Sequence, residues 1–503
     1  MAVTHRETER KYEATSETEM PSWAALFGEG QPHTEDQHLV ATYVDTPDLR
    51  LASAAITMRH RTGDDEAGWH VKLPAGEGSR DELQVPDPPG SVPNGDPGLP
   101  PAEFVDLLRA FTGGAELAPI ASLRTHRTML QWKDDGGRAL LMVTDDRVTA
   151  RVLPDGADRS WREFEVELGA HGEVDLLDRA DTVLRKAGVR PSKSASKLAQ
   201  ALGPRLPRQP EPPGKKPSAG DVVLAYLRAQ IAAIRRSDLE VRRDTDDAVH
   251  QLRVSARRAR SALQAFGTVL DRDRLQPLVE ELRWLGEAAG RARDLEVLRE
   301  RLVAELAALP TEDALGPVQA RVTRWFAPRE AQARAEVLTA LNSERHLALL
   351  AALDGVLADP PTLPAAGRKA DAVLRGELTH AHRRVERHLK AAATGGAGRD
   401  GELHEARKAG KRLRYAAEAV GSSVPGAAAL VKHTKELQDL LGEHQDAVVA
   451  VPVLRELAVA AHGAGENGYP FGLLAGRALG RGVDERALAD AAAAVRKSAR
   501  KLK

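Results

Sequence analysis

The chain has 503 residues, too many for one ordinary domain and enough for two or three. With 42% hydrophobic and 29% charged residues and a formal net charge of −1, its composition is that of a soluble globular protein, and whole-chain charge points to no polyanionic partner. The lack of cysteine excludes a disulfide framework, a thiolate zinc site and a cysteine nucleophile, and 4% aromatics offer little for stacking single-stranded nucleic acid. No apolar run is long enough to span a membrane and no signal peptide opens the chain, so a cytoplasmic location is expected.

Residues 1–203 read as α+β. Glu7-Thr8-Glu9-Arg10-Lys11 reads as a strand, which places Glu7, Glu9 and Lys11 on one face and Thr8, Arg10 and Tyr12 on the other. Two carboxylates and an ammonium suit the wall of a polar tunnel better than a core stripe. A helix is expected around Pro21–Phe27, and strands over Leu39–Asp45, Ile56–Arg61, Trp69–Leu73, Leu123–Trp132, Ala139–Val143 and Arg162–Leu168. Pro86–Pro101 reads as a Pro/Gly loop, Glu103–Phe111 as a short helix, and Asp175–Ala187 as a helix stopped by Gly188. Antiparallel strands at this spacing suggest a closed barrel.

The charges alternate with apolar residues along several of these strands. Arg59 and Arg61 share a face; Glu163, Glu165 and Glu167 share another, opposite Phe164, Val166 and Leu168; Lys72 alternates with Val71 and Leu73. If covering helices take the apolar faces, the lumen holds acidic and basic residues together. Arg and Lys clamp phosphate oxygens, and clustered carboxylates bind Mg²⁺ or Mn²⁺. So many cations exceed what a monophosphate needs and match a linear triphosphate.

Glu7-x-Glu9-x-Lys11, Tyr43-Val44-Asp45-Thr46, Arg59-x-Arg61, the Lys72 of Trp-His-Val-Lys-Leu-Pro, Arg80-Asp81-Glu82 and Glu165-x-Glu167 together resemble the CYTH superfamily of triphosphate tunnel enzymes. The resemblance implies an eight-stranded antiparallel tunnel. It implies Glu7, Glu9, Glu165 and Glu167 as metal ligands, joined by Asp145 or, by preference, Asp146. It implies Lys11, Arg59, Arg61, Lys72, Arg127 and, within Ser192-Lys193-Ser194, Lys193 as triphosphate-binding residues. Arg124 competes with Arg127, and Glu82 is a further candidate. Glu7, Glu9 and Lys11 are expected to be catalytic.

Pro204–Ala219, rich in proline and cations, reads as a semi-rigid linker. Its Gly214-Lys215-Lys216 lacks the glycine spacing of a phosphate loop. From Gly220 to Lys503 the chain reads as helical: Val222–Arg236, Asp246–Leu270, Arg274–Leu309, Val318–Thr339, Ala366–Lys390, Glu402–Val420, Ala427–Ala461 and Glu485–Lys501. An internal repeat runs through it. His250, Arg253, Arg257 and Arg260 recur as His404, Arg407, Lys411 and Arg414, and Gly290-x-x-x-Asp294 recurs as Gly442-x-x-x-Asp446. Two pseudo-symmetric helical bundles follow, each with a histidine and three cations on one helix face. Flanking arginines disfavour a zinc role for the histidines.

These repeats resemble the CHAD domain, often attached to CYTH domains. The resemblance implies inorganic polyphosphate as partner, with His250, Arg253, Arg257, Arg260, His404, Arg407, Lys411 and Arg414 as contacts, and association with polyphosphate granules. Spacing alone leaves nucleic acid open for this half and assigns no oligomeric state. The whole chain is expected to be a Mg²⁺- or Mn²⁺-dependent hydrolase of inorganic triphosphate or polyphosphate. The alternatives are a nucleotide- or thiamine-triphosphate enzyme and a non-catalytic polyphosphate-binding protein.

Overall fold

The computed structural model describes residues 3–28, 30–76, 78–88, 98–154, 156, 158–395, 398–480 and 484–502, without the side chains of 443–448. Asp446, Gly396 and most of the expected Pro86–Pro101 loop lie outside the described residues. The chain forms two compact units, Met1–Pro210 and Glu211–Lys503, divided within the proline-rich stretch.

The first unit is a closed antiparallel barrel of β1 (Val3–Ala14), β2 (His33–Asp45), β3 (Thr57–Thr62), β4 (Gly68–Pro74), β5 (Ser79–Pro86), β6 (Ala118–Lys133), β7 (Ala139–Val152) and β8 (Asp158–Leu168). The order is β5-β4-β3-β2-β6-β7-β8-β1, and β1 closes the ring. Val3–Thr8 of β1 pair with β5, while Glu9–Ala14 pair with β8. A two-residue β9 (Arg190–Pro191) adds to the end of β1.

Side-chain alternation then separates outside from inside. Outward-facing Tyr12, Leu141, Val143, Phe164 and Val166 pack under Leu177, Ala180 and Leu184 of the helix Asp175–Lys186. Arg10 pins that helix through the Leu177 carbonyl and Asp178. The second core lies inside the barrel. Leu198, Ala201 and Leu202 of the helix Lys197–Leu202 pack on Ala41, Tyr43, Leu123, Val148 and Ala150, so this short helix plugs one end of the lumen. Ser196 caps it by accepting from the Ala199 backbone N–H. The strand β5 was not expected from the sequence. It contains few β-branched residues, and its pairing with both β1 and β4 supplies what local propensity does not.

The second unit is all helical among the described residues. Ala219–Arg242 opens on a Ser218/Asp221 capping box. There follow Ala248–Ala265, Arg272–Ala288, Gly290–Ala307, Val318–Asn342, Glu344–Ala358, Ala370–Ala393, Arg399–Val420, Ala427–Gly463, Tyr469–Gly480 and Glu485–Arg500. The helix expected over Arg274–Leu309 is two helices that part at Ala289, and the helices Glu344–Ala358 and Tyr469–Gly480 were not foreseen. None of the helices described is long and apolar enough to cross a membrane.

The repeat is visible in the packing. Ala248–Ala265 and Arg399–Val420 are neighbours: Arg257 Nε donates to Tyr415 Oη at 2.8 Å, and Arg258 Nε to Glu418 at 3.0 Å. Arg253 Nη1 donates to the Gly290 carbonyl at 2.8 Å. A Cβ on Gly290 would stand 3.4 Å from Arg253 Nη1, and one on Gly442 would stand 3.4 Å from Arg407 Nη2. Both repeats therefore seat the first cation of the motif against the glycine.

Candidate functional site

The open part of the barrel encloses a cavity of about 210 Å³. Its cationic wall is Lys11 of β1, Arg59 and Arg61 of β3, Lys72 of β4, Arg127 of β6 and Lys197 of the plug helix; Glu7, Glu9, Glu82, Glu165 and Glu167 interleave with them. Leu39, Ala41, Leu123 and Met142 make an apolar strip.

Nearly every charge here has a partner of opposite sign. Lys72 lies 2.5 Å from Glu7 and 3.6 Å from Glu82. Lys11 pairs with Glu9 at 2.9 Å and with Glu165. Arg127 forks onto both Asp146 oxygens at 2.8 and 2.7 Å and reaches Glu165 at 3.0 Å. Lys197 meets Asp146, Glu163 and Glu165 at 2.9, 2.8 and 2.6 Å. Arg61 pairs with Asp64 and Glu66, and Arg59 reaches Glu82 at 3.5 Å.

The electrostatics follow from burial and these pairs. Burial alone would push the Lys11, Lys72 and Lys197 ammoniums down, but the carboxylates around them win and hold all three above the usual range. Glu165 is likewise held well below the usual carboxylate range, against its burial, by Lys11, Lys197 and Arg127. Two carboxyls go the other way. Burial pushes Glu7 up to about 8, with Glu82 and Glu167 adding to it, and pushes Glu167 up to about 7, with Glu9 and Glu165 adding to it.

A second site lies in the helical unit. A pocket of about 440 Å³ is lined by His250, Arg253 and Arg257 from one repeat, Arg407 and Lys411 from the other, and Arg293, Asp294 and Arg301 from Gly290–Ala307. Arg253 pairs with Asp294 at 2.8 Å. Arg407 and Lys411 have no ion-pair partner among the described residues. Lys411 is pushed down to about 7 by burial and by Arg407, Arg257, Arg253 and Arg414 around it.

A CYTH domain model matches residues 5–202 and a CHAD domain model matches residues 225–455. An uncharacterized protein of Mycobacterium tuberculosis, Rv2226, is 37% identical over 495 residues, covering 93% of this chain and 92% of its own. The chain belongs to the CYTH–CHAD family. Among solved structures, PptA from Streptomyces chartreusis aligns with 56% of this chain and 99% of its own at 26% identity and a TM-score of 0.43. The CHAD domain from the plant Ricinus communis aligns with 59% of this chain and 96% of its own at 25% identity and a TM-score of 0.45. HpAC1 from Hippeastrum, reported to have a dominant triphosphatase activity, aligns with 40% of this chain and 98% of its own at 19% identity and a TM-score of 0.24.

CYTH members are metal-dependent enzymes that bind triphosphates, and the tunnel has a donor set to match. Ligand oxygens of buried Asp146, Glu163 and Glu165 lie within 4.8 Å of one another, gathered around the Lys197 ammonium, which a metal ion there would have to displace. All the donors are carboxylate oxygens, which suit a hard divalent cation.

The tunnel gathers Glu7, Glu9, Lys11, Arg59, Arg61, Lys72, Glu82, Arg127, Glu165 and Glu167. Asp146 is fully buried against Arg127 and Lys197 on the lumen side, whereas Asp145 faces outward into a two-pronged bond from Arg162. Two expected residues are displaced. Arg124 is exposed on the outer face of β6, because Leu123, Thr125 and Arg127 take the lumen side. Lys193 is also exposed, and Lys197, four residues on, takes its place in the lumen. The signal for Lys197 was available in Ser196-Lys197, a helix cap followed by an apolar turn. In the CHAD unit, His404 is exposed and, like Arg260 and Arg414, lines no part of the pocket. Arg414 instead bonds Tyr415 Oη at 3.1 Å and stands 3.5 Å from Glu418. Arg293 and Arg301 were missed because they lie outside the repeated motif.

Proposed function

We propose that the CYTH tunnel hydrolyses inorganic triphosphate, or the end of a polyphosphate chain, and that the CHAD pocket binds polyphosphate. The observation that carries this reading is the size and lining of the tunnel. At about 210 Å³ it is smaller than the roughly 300–1,000 Å³ pockets that bury drug-sized ligands. It has room for a short phosphate chain and none for an enclosed base and ribose or a thiamine ring. The plug helix blocks one end, so a long chain enters by its terminus and cannot thread through.

In this reading Arg59, Arg61, Lys72 and Arg127 grip the phosphate oxygens, and Lys11 and Lys197, held fully charged, face the chain from β1 and from the plug. Glu7, Glu9, Asp146, Glu165 and Glu167, with Glu163 beside them, hold Mg²⁺ or Mn²⁺. Such an ion, when bound, neutralises phosphate charge and lowers the pKa of a coordinated water. Lys11 lowers the Glu9 carboxyl against its burial, as Lys11, Lys197 and Arg127 lower Glu165, which favours the charged form of both. No side-chain nucleophile is invoked. The CHAD pocket places the protein on polyphosphate, which would localise it to polyphosphate granules.

The test is phosphate release from tripolyphosphate, ATP and long-chain polyphosphate, each with Mg²⁺, Mn²⁺ or chelator, for the wild type and Glu9→Gln. The reading expects metal-dependent release from tripolyphosphate that the substitution removes. Faster release from ATP would transfer the assignment to a nucleotide enzyme. No release from any substrate, with polyphosphate still retained, would leave a binding protein.

A further inference from the structure

A second basic groove of about 510 Å³ lies in the helical unit, built by residues the repeated motif does not include. The helix Ala370–Ala393 gives it His380, Arg383, Arg384 and Arg387; Arg272 and Arg412 come from two other helices. Its one acid, Glu377, is occupied elsewhere: Oε1 accepts from Thr268 N at 2.9 Å and from Thr268 Oγ1 at 2.7 Å. No carboxylate among the described residues lies within ion-pair distance of Arg272, Arg383, Arg384, Arg387 or Arg412. Elsewhere in this unit many arginines are paired, as Arg253, Arg258, Arg291, Arg299 and Arg345 are. Five unmatched guanidiniums in one groove repel one another unless an anion lies among them.

The groove and the first pocket share two helices. On Arg399–Val420, Arg407 and Lys411 line the pocket while Ala409 and Arg412 line the groove. On Ala248–Ala265, Arg257 lines the pocket and Gln264 the groove, seven residues or about 10 Å along the axis. Arg260, which lines neither, lies between them on that helix. Burial and the charges of Arg384 and Arg260 hold the Arg412 guanidinium below its usual range, and burial with Arg257 and Arg283 does the same for Arg260. Arg260 and Arg412 thus place cations between the two cavities, with Glu280, Glu287 and Glu405 partly offsetting them.

We infer that the CHAD unit binds inorganic polyphosphate along a two-part track, the repeat pocket and the Arg383/Arg384/Arg387 groove bridged by Arg260 and Arg412, so that it selects chains long enough to occupy both. This rests on the reading of the pocket as a polyphosphate site. A short chain fills one cavity. A long chain fills both, and its second contact is made at the high effective concentration set by the first. Polyphosphate is favoured over nucleic acid because, among the described residues, neither cavity is lined by a Phe, Tyr or Trp ring for base stacking.

The test compares full-length wild type with the triple variant Arg383→Gln/Arg384→Gln/Arg387→Gln, whose altered side chains are all exposed. Binding of a short polyphosphate of a few units and of a long chain is titrated over a range of salt, in chelator. Any tunnel contribution is common to both proteins. The inference expects long-chain affinity to fall about 100-fold and its salt slope to shrink by about two, with short-chain affinity within twofold. Equal losses for both lengths, or none for either, would overturn it. Single-stranded DNA of equal charge displacing the long chain as well as polyphosphate does would overturn the choice of partner. If the wild type binds no polyphosphate, the underlying reading of the CHAD pocket fails instead. An Arg253→Gln variant that weakens both lengths while the groove variant weakens only the long one would confirm the order of the two parts.

Discussion

The tunnel and the helical pocket solve the problem of crowded cations in opposite ways. In the tunnel, Lys11, Lys72 and Lys197 are buried and yet held above their usual range, because a carboxylate stands against each. In the helical pocket, Lys411 is buried among arginines and pushed down to about 7. In the tunnel each lysine has its counter-charge already in place and stays charged. In the pocket, Arg407 and Lys411 have no ion-pair partner among the described residues, so an anion there would relieve their repulsion. Preorganised charge is what stabilises a transition state; unmatched charge is what makes a surface adhesive and salt-sensitive.

The largest effect that would break this contrast is expected at Glu165, on which Lys11, Arg127 and Lys197 all converge. Glu165→Gln removes the common partner and a metal donor together. Phosphate release from tripolyphosphate should fall about 10³-fold, while polyphosphate retention by the helical unit stays at the wild-type value. Loss of both would mean that the two sites are not separate. Lys197→Ala comes next. It leaves the strands intact but removes the plug helix's only charge in the lumen. Turnover should fall about 100-fold, read from initial rates at saturating metal.

Opposite pH trends would sharpen the comparison. Glu7 at about 8 and Glu167 at about 7 must lose protons for the tunnel to take a divalent cation, so metal affinity rises with pH until about 8. Lys411 must gain a proton to pair with an anion, so polyphosphate affinity is highest below about pH 7 and falls above it. Between pH 7 and 8.5 the fall should be about tenfold. In Lys411→Ala it should be nearly flat, because the remaining pocket cations Arg253, Arg257, Arg293, Arg301 and Arg407 do not titrate there. Calorimetry in buffers of different ionisation enthalpy reads both, as proton release on metal binding and proton uptake on polyphosphate binding.

What the sequence could reveal was set by the reach of its periodicities. The period-two alternation separated Glu7, Glu9 and Lys11 from Tyr12, and Glu165 and Glu167 from Phe164, because one face had to meet the covering helix. It also settled that Asp145 and Asp146 point opposite ways, but not which way. That depends on Arg162 outside and Arg127 inside, neither adjacent in sequence. The repeat exposed Arg253 and Arg407 because each is packed against a glycine at a similar distance along the chain, 37 and 35 residues on. Arg293, Arg301 and the whole Arg383–Arg387 groove obey no repeat, and only the packing of helices brings them to their sites.

The smallest effects belong to the two cations that local pattern placed in the tunnel and tertiary structure places outside it. On β6, Arg124 and Arg127 are three residues apart, so a regular strand must turn them to opposite faces. Leu123 at the lumen edge of the plug core fixes which: positions 123, 125 and 127 face in, and Arg124 faces solvent. Lys193 stands before Ser196 caps the plug, while the chain is still at the barrel's rim, where its backbone N–H reaches Glu13. Arg124→Ala and Lys193→Ala should therefore each leave tripolyphosphate turnover within about twofold, since exposed charges away from the chemistry contribute little. Arg127→Ala and Lys197→Ala, their counterparts inside, should each cost about 100-fold. The two pairs conserve the change in charge, so a general loss of positive field would lower turnover equally in all four. Equal losses would sink the placement of Arg127 and Lys197 as direct contacts, because only position distinguishes the members of each pair.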